Sequence, residues 1–78
     1  MVHGYILIKA ALGRALEVAE KVAKVKGVKE ACAVTGTYDV IAAFEVEDLK
    51  EIADIVVKGI HAIEGVCSTE TSICVSSE

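Results

Sequence analysis

The residues best able to do chemistry in this chain are concentrated in one short stretch, residues 34–41, which reads Val-Thr-Gly-Thr-Tyr-Asp-Val-Ile. The backbone N–H groups of a turn centred on Gly36 can donate to a carboxylate, and Asp39 can accept from an ammonium group. Every α-amino acid carries these two groups close together, so the stretch is the first candidate for an amino-acid site. The hydroxyls that would complete its polar shell belong to Thr35, Thr37, Thr69 and Thr71. The alternative is plain turn chemistry, with Asp39 bonding its own backbone.

Catalysis is a poor interpretation of the same sequence. No nucleophile is paired with a base, and residues 9–14 lack a glycine-rich phosphate fingerprint. Cys32, Cys67 and Cys74 show no CxxC spacing, which argues against a zinc or soft-metal site. We therefore expect no enzyme, no metal and no cofactor. The cysteines are interpreted as small buried apolar residues in a reducing cytoplasm.

Length, charge and hydropathy limit the remaining possibilities. A chain of 78 residues forms one domain over residues 1–78, and its net charge of -4 argues against direct nucleic-acid binding. Hydrophobic residues make up 54% of the chain, which is more apolar surface than so small a core hides, so we expect self-association. No apolar run reaches the ~20 residues that a membrane span needs, and no secretion signal is evident.

The elements that must position the candidate stretch follow from the periodicity of apolar residues. Strands are predicted over residues 2–10, 28–34, 40–46 and 66–75, followed by a polar tail at residues 76–78. Helices are predicted between the first two strands and from Asp48 onwards, with Gly27 and Gly65 ending them. Asp48 and Glu51 form a capping-box-like start for the second helix. The stretch around Gly36 becomes the loop of a hairpin.

Each predicted helix has an apolar side at helical spacing. In the first helix this side comprises Leu12, Ala15, Leu16, Ala19, Val22 and Ala23. In the second it comprises Leu49, Ile52, Ala53, Val56, Ile60 and Ile63, broadened by Val57. Gly59 interrupts the second helix, and close packing against a neighbour would explain it.

The order β-α-β-β-α-β with right-handed crossovers predicts a four-stranded antiparallel sheet carrying both helices on one face. Strands 2–10 and 40–46 are apolar on both faces. Something must therefore cover the second face, and a second copy of the sheet is the economical answer.

Residues 34–42 resemble the VTGxYDvia signature of the Lrp/AsnC effector domain, also called the RAM domain. The start at Asp48-Leu49, Ile60, Ile63, Gly65-Val66 and the run 69–71 are similar to that family as well. The resemblance implies a ferredoxin-like α+β sandwich, dimers that form an α/β barrel through their sheets, and rings of such dimers. It also implies that an amino-acid effector binds between dimers near the hairpin loop. Carried over by position, the site residues are Thr35, Gly36, Tyr38 and Asp39, with Thr69 and Thr71 as weaker candidates.

We therefore expect an amino-acid-binding, oligomer-forming regulatory domain that modulates transcription. Full-length regulators of this type carry a helix-turn-helix domain, whereas a strand here begins at Val2, so the chain resembles a stand-alone effector domain. It would sense an amino acid alone or associate with full-length regulators. The alternatives are a purely structural oligomerisation module and an ACT-like amino-acid-binding regulator of an enzyme. The ACT family favours proline and glycine in its first loop, and this chain has no proline.

Overall fold

The computed structural model describes residues 1–75, and the predicted polar tail lies outside the described residues. Its order of strands and helices is the predicted one. The second strand ends at Ala33 and the fourth at Ile73, each slightly earlier than predicted. The elements are β1 (Val2–Ala10), α1 (Ala15–Val22), β2 (Val28–Ala33), β3 (Val40–Val46), α2 (Lys50–Ala53), a π-helical segment (Asp54–Ile60) and β4 (Val66–Ile73).

The four strands form one antiparallel sheet in the order β2-β3-β1-β4. Ile6 of β1 lies opposite Ala42 of β3 on one side and Thr71 of β4 on the other. The central strands β1 and β3 therefore carry the core, and β2 and β4 are edges. The predicted ferredoxin-like fold is confirmed.

One face of the sheet, here the helix-covered face, packs against both helices. Phe44 is its largest fully buried side chain and is 1% exposed. Alternation along each strand sends every second residue to this face, as predicted for β1 and β3. The core consists of Ile6, Ile8, Val18, Ala19, Val22, Val40, Ala42, Phe44, Val46, Ile52, Ile55 and Ile60.

The predicted apolar side of the first helix is partly wrong. Leu12 is fully exposed and Leu16 is 76% exposed, and Ala23 is exposed as well. The helix begins only at Ala15, after a turn at Leu12 and Gly13, so Leu12 is not helical at all. The buried stripe is instead Val18, Ala19 and Val22.

The second helix begins as predicted but changes its periodicity. The Glu51 carboxylate accepts from the backbone N–H groups of Glu47 (2.9 Å) and Asp48 (3.1 Å), which confirms the capping arrangement. The helix then widens into the π-helical segment.

This widening explains why part of the second apolar side was predicted wrongly. The His61 N–H donates to the Val56 carbonyl at 2.9 Å, a bond of the π-helical i→i+5 type. Residues five apart then share a side, so Ile55 and Ile60 are both buried. Val57, predicted to face inward, is 61% exposed as a result. Leu49, also predicted to face inward, is 62% exposed, but it lies before α2 and is not affected by the widening.

The glycine inside this segment marks a close approach, as predicted. A Cβ on Gly59 would lie 2.6 Å from Cγ1 of Val25, which follows α1 in the chain. The absence of a side chain at Gly59 lets this segment approach Val25 closely within the single helical layer. None of the helices in residues 1–75 is long and apolar enough to cross a membrane.

The other face of the sheet, here the open face, is formed by Tyr5, Leu7, Cys32, Ile41 and Ala43. Tyr5 is 48% exposed, and Leu7, Ile41 and Ala43 are half-buried. The prediction of three buried cysteines is wrong, because Cys32 and Cys67 are exposed and Cys74 is half-buried. Cys32 is exposed because it lies opposite Ile41 on this uncovered face.

Candidate functional site

The β2–β3 loop, residues 34–39, lies at the end of the sheet where β1 ends. Its tip, residues 35–37, is exposed. Gly36 has φ +108°, the left-handed conformation expected from the sequence, and a Cβ there would meet nothing within 4 Å. The turn therefore presents its backbone to open space.

Asp39 fastens the other end of the loop to β1. The Ala10 N–H donates to Oδ2 of Asp39 at 2.9 Å, and the Asp39 N–H donates to the Ile8 carbonyl at 2.9 Å. The Val34 N–H donates to the Asp39 carbonyl at 2.8 Å and closes the loop. The side chain of Asp39 thus bonds to Ala10, a residue distant in the sequence. The alternative considered from the sequence was a bond to its own backbone.

Tyr38 reaches across β1 to β4. Its hydroxyl donates to Oε1 of Glu70, and Nζ of Lys9 lies 5.9 Å from the centroid of its ring. The hydrogen bond to Glu70, together with partial burial and the nearby negative charge, raises the pKa of Tyr38 above its usual value of 10.0. The Tyr38 hydroxyl is therefore kept in the neutral form that donates this hydrogen bond.

Thr69 and Thr71 lie on the helix-covered side of β4, because they are opposite Ile8 and Ile6 in the register. Oγ1 of Thr69 is 3.0 Å from Nε2 of His61, a histidine beside the helical layer. Within one chain the sheet therefore separates these two hydroxyls from the contact between Tyr38 and Glu70. The structure brings Thr35, Gly36, Tyr38 and Asp39 together in the loop.

Sequence reasoning missed Lys9 and Glu70. Both are far from the loop in the chain, and their charges suit any exposed strand position. The signal that would have found Glu70 is the antiparallel register, which places it opposite Leu7 on the face that Tyr38 crosses.

Arg14, at the start of α1, is occupied by carboxylates. Its guanidinium lies 2.9 Å from Oε2 of Glu17 and 3.9 Å from Oε2 of Glu64. Lys21 lies 3.3 Å from the same Glu17 oxygen. The hydrogen bonds from Arg14 and Lys21 lower the pKa of Glu17 below its usual value. This corner is an internal ion-pair network rather than an anion site.

The open face carries a shallow groove of about 380 Å³. It lies over β2, β3 and β1 and is mostly apolar. Its lining residues are Tyr5, Glu30, Cys32, Val34, Ile41 and Ala43. Within residues 1–75, no group of three or more histidine, cysteine or acidic side chains is placed to hold a metal ion.

The four-stranded sheet, the helices packed on one of its faces and the anchored loop define a small ferredoxin-like domain of the β-α-β-β-α-β class. The family profile described as "Lrp/AsnC ligand binding domain" matches residues 4–78. This chain belongs to that family.

The chain is also similar to a transcriptional regulator and to a protein of known structure. An uncharacterised HTH-type transcriptional regulator of Pyrococcus abyssi is 35% identical over 72 residues, which are 92% of this chain and 46% of that regulator. A crystal structure of a protein from Thermus thermophilus is 33% identical, covers 100% of this chain and 98% of its own, and superposes with a TM-score of 0.94.

A more distant structure shares the fold. It is a transcriptional regulator of Neisseria meningitidis in complex with L-Met, 21% identical, covering 96% of this chain and 50% of its own, with a TM-score of 0.82. The chain thus spans about half the length of the regulators it matches. The Pyrococcus relatives that it matches are named as HTH-type transcriptional regulators.

Proposed function

We propose that this chain is an amino-acid-responsive oligomerisation domain that modulates transcription, with its effector bound at the β2–β3 loop. The observation that carries the proposal is a structural difference between the two parts of that loop. Asp39 fastens one end to β1, while the tip at residues 35–37 is exposed. A loop anchored at one end and open at the other suits the capture of a small polar molecule.

The chemistry of the loop suits an α-amino acid. The N–H groups around Gly36 donate to the ligand carboxylate. The Asp39 carboxylate accepts from the ammonium through Oδ1, since Oδ2 is engaged with the Ala10 N–H. Charge-assisted bonds at both ends select the zwitterion over either a simple acid or a simple amine.

We assign the core of the site to Thr35, Gly36, Tyr38 and Asp39. Thr69 and Thr71 face the other side of the sheet, so in this proposal they contribute from a neighbouring copy in the assembly. The L-Met complex of the Neisseria regulator supports an amino acid as the class of ligand.

Dimerisation follows in this proposal from the open face. Its central apolar side chains are half-buried in one chain, and a second sheet packed against them completes their burial. Leu12, in the turn after β1, and Leu16, in the first turn of α1, are exposed and offer further apolar surface for joining dimers into a ring. Association with longer Lrp/AsnC regulators through the same surfaces would carry the amino-acid signal to transcription.

The test is thermal unfolding of the chain with each of the common amino acids at millimolar concentration. A ligand present at about a hundred times its dissociation constant and bound only to the folded state adds about 2.7 kcal/mol. We expect one or a few amino acids to raise the melting temperature.

Asp39→Asn is the informative variant, because it keeps an oxygen for the Ala10 N–H and removes the charge that holds an ammonium. We expect it to fold and assemble but to lose the amino-acid response. Asp54→Asn, on the exposed side of the π-helical segment, is the matched control and should respond like the wild type. A response that survives Asp39→Asn would contradict the assignment of Asp39.

A structural module without a ligand is the second candidate, and the apolar groove of the open face favours it. In that case no amino acid changes the melting temperature while the dimer remains intact. Sedimentation velocity on the same samples shows whether the dimer is intact, and the melting panel then separates the two functions.

A further inference from the structure

The contact between Tyr38 and Glu70 joins two parts of the chain that are not neighbours in the sheet. The β2–β3 loop leads into β3, and β1 lies between β3 and β4 in the sheet. The hydrogen bond from Tyr38 to Glu70 therefore spans the neighbouring strand β1 and ties the loop to the edge strand β4. Lys9, on the strand between them, places its ammonium near the face of the tyrosine ring. We call Lys9, Tyr38 and Glu70 the clamp.

The clamp acts on the half of the loop that is hydrogen-bonded to β1. Asp39, the residue after Tyr38, donates its N–H to Ile8 and accepts from the Ala10 N–H. The opposite half, residues 35–37, is exposed. The loop thus has a fixed side that carries Asp39 and a free side that carries the glycine turn.

We propose that Glu70 is a positioning residue for the amino-acid site, which holds the Asp39 side of the loop in place through the Tyr38 hydroxyl. The proposal rests on the proposed function. Because the clamp already holds Asp39 in place, this side chain loses little conformational entropy when it binds the ammonium. Only the glycine turn then has to close on the ligand.

Alternation along β4 places Glu70 on the open face together with Ser68 and Ser72, and only Glu70 among these three carries a long, charged side chain. Thr69 and Thr71 face the helices, as the 3.0 Å contact between Thr69 and His61 shows. A carboxylate on the opposite face has the length and the charge to accept from a tyrosine that crosses a strand.

Hydrogen exchange tests the clamp without any ligand. The amides of Ala10, Val34 and Asp39 report on the fixed side of the loop, because each donates one of its anchoring bonds. We expect Glu70→Ala and Tyr38→Phe each to speed exchange at these amides about tenfold, the effect of losing one hydrogen bond to a charged group. The double variant should be no faster than either single variant, because both remove the same bond.

Three controls distinguish positioning from general loosening. Glu70→Gln keeps an acceptor oxygen and should restore most of the protection. Glu20→Gln removes an exposed carboxylate from α1 and should leave exchange unchanged. The Cys74 amide, which donates to His3 at the other end of β1, should exchange at the wild-type rate in every variant.

Binding of the amino-acid panel completes the test. If an amino acid stabilises the wild type, Glu70→Ala should weaken its affinity about tenfold and Glu70→Gln should recover most of that loss. Unchanged exchange in Glu70→Ala overturns the clamp, and faster exchange with unchanged affinity overturns its positioning role. A wild type that binds no amino acid removes the proposed function and with it the positioning role, while the exchange data still decide whether the clamp exists.

Discussion

On the helix-covered face of the sheet Phe44 is 1% exposed, whereas on the open face Tyr5 is 48% exposed and Ile41 is half-buried. Both faces are built by the same two strands, β1 and β3. The helices enclose one face within a single chain, and the other face keeps its apolar side chains available. The first face therefore contributes the core on which folding depends, whereas in the proposed function the second face is the surface through which copies associate.

The largest expected effect comes from the helix-covered face. Phe44→Ala removes the bulkiest buried side chain and should lower the free energy of unfolding by about 3–5 kcal/mol. For a domain of this size that is a large part of the total stability. Urea unfolding followed by circular dichroism measures it. Phe44→Leu should lose much less, and equal losses for the two variants would contradict a cavity as the cause.

The second effect should separate assembly from folding. Ile41→Asp places a carboxylate at the centre of the open face, where packing against a second sheet would bury it without a partner. We expect the dimer to be lost, while the unfolding free energy of the single chain changes by only about 1 kcal/mol. Sedimentation equilibrium and concentration-dependent melting are the measurements. A chain that remains dimeric after this change would exclude the open face as the interface.

A third test compares the accessibility of two cysteines, one on the open face and one away from it. Cys32 lies on the open face and lines its groove, whereas Cys67 is exposed in another groove beside His61. Packing of two sheets should slow modification of Cys32 by a thiol reagent severalfold and leave Cys67 unaffected. Ile41→Asp should abolish that protection. Peptide mass spectrometry after timed labelling gives the rate at each cysteine.

Strand alternation and the fold could be predicted from the sequence because they depend on local patterns. The features that could be predicted in this way are the two faces of β1 and β3, the hairpin and the positive φ of Gly36. The helix faces could not be predicted in full. Gly13 delays the start of α1 and leaves Leu12 outside the helix, and a π-helix changes the spacing after Ala53 and exposes Val57.

The candidate site shows the same limit. Glycine and aspartate in a short link identified the loop, because turn chemistry is local. The anchor from Asp39 to Ala10 and the contact from Tyr38 to Glu70 join residues about thirty positions apart. Only the register of the sheet brings such residues together, and no local spacing encodes it.

The smallest expected effect belongs to neither face of the sheet but to the outer surface of α1. Hydrogen bonds from Arg14, and then from Lys21, lower the pKa of Glu17 below its usual 4.5. A carboxyl whose pKa is lower in the folded chain stabilises the fold above its unfolded pKa, and this contribution is lost as pH falls through the folded pKa. Glu17→Gln should therefore be slightly less stable than the wild type at neutral pH and equal to it in acid. The difference should shrink in high salt, because the pair is exposed. Glu20→Gln on the same helix is the control, and urea unfolding at a series of pH values measures both variants. If the difference between wild type and Glu17→Gln instead grew towards low pH, the ion pairs at Arg14 would not be its source.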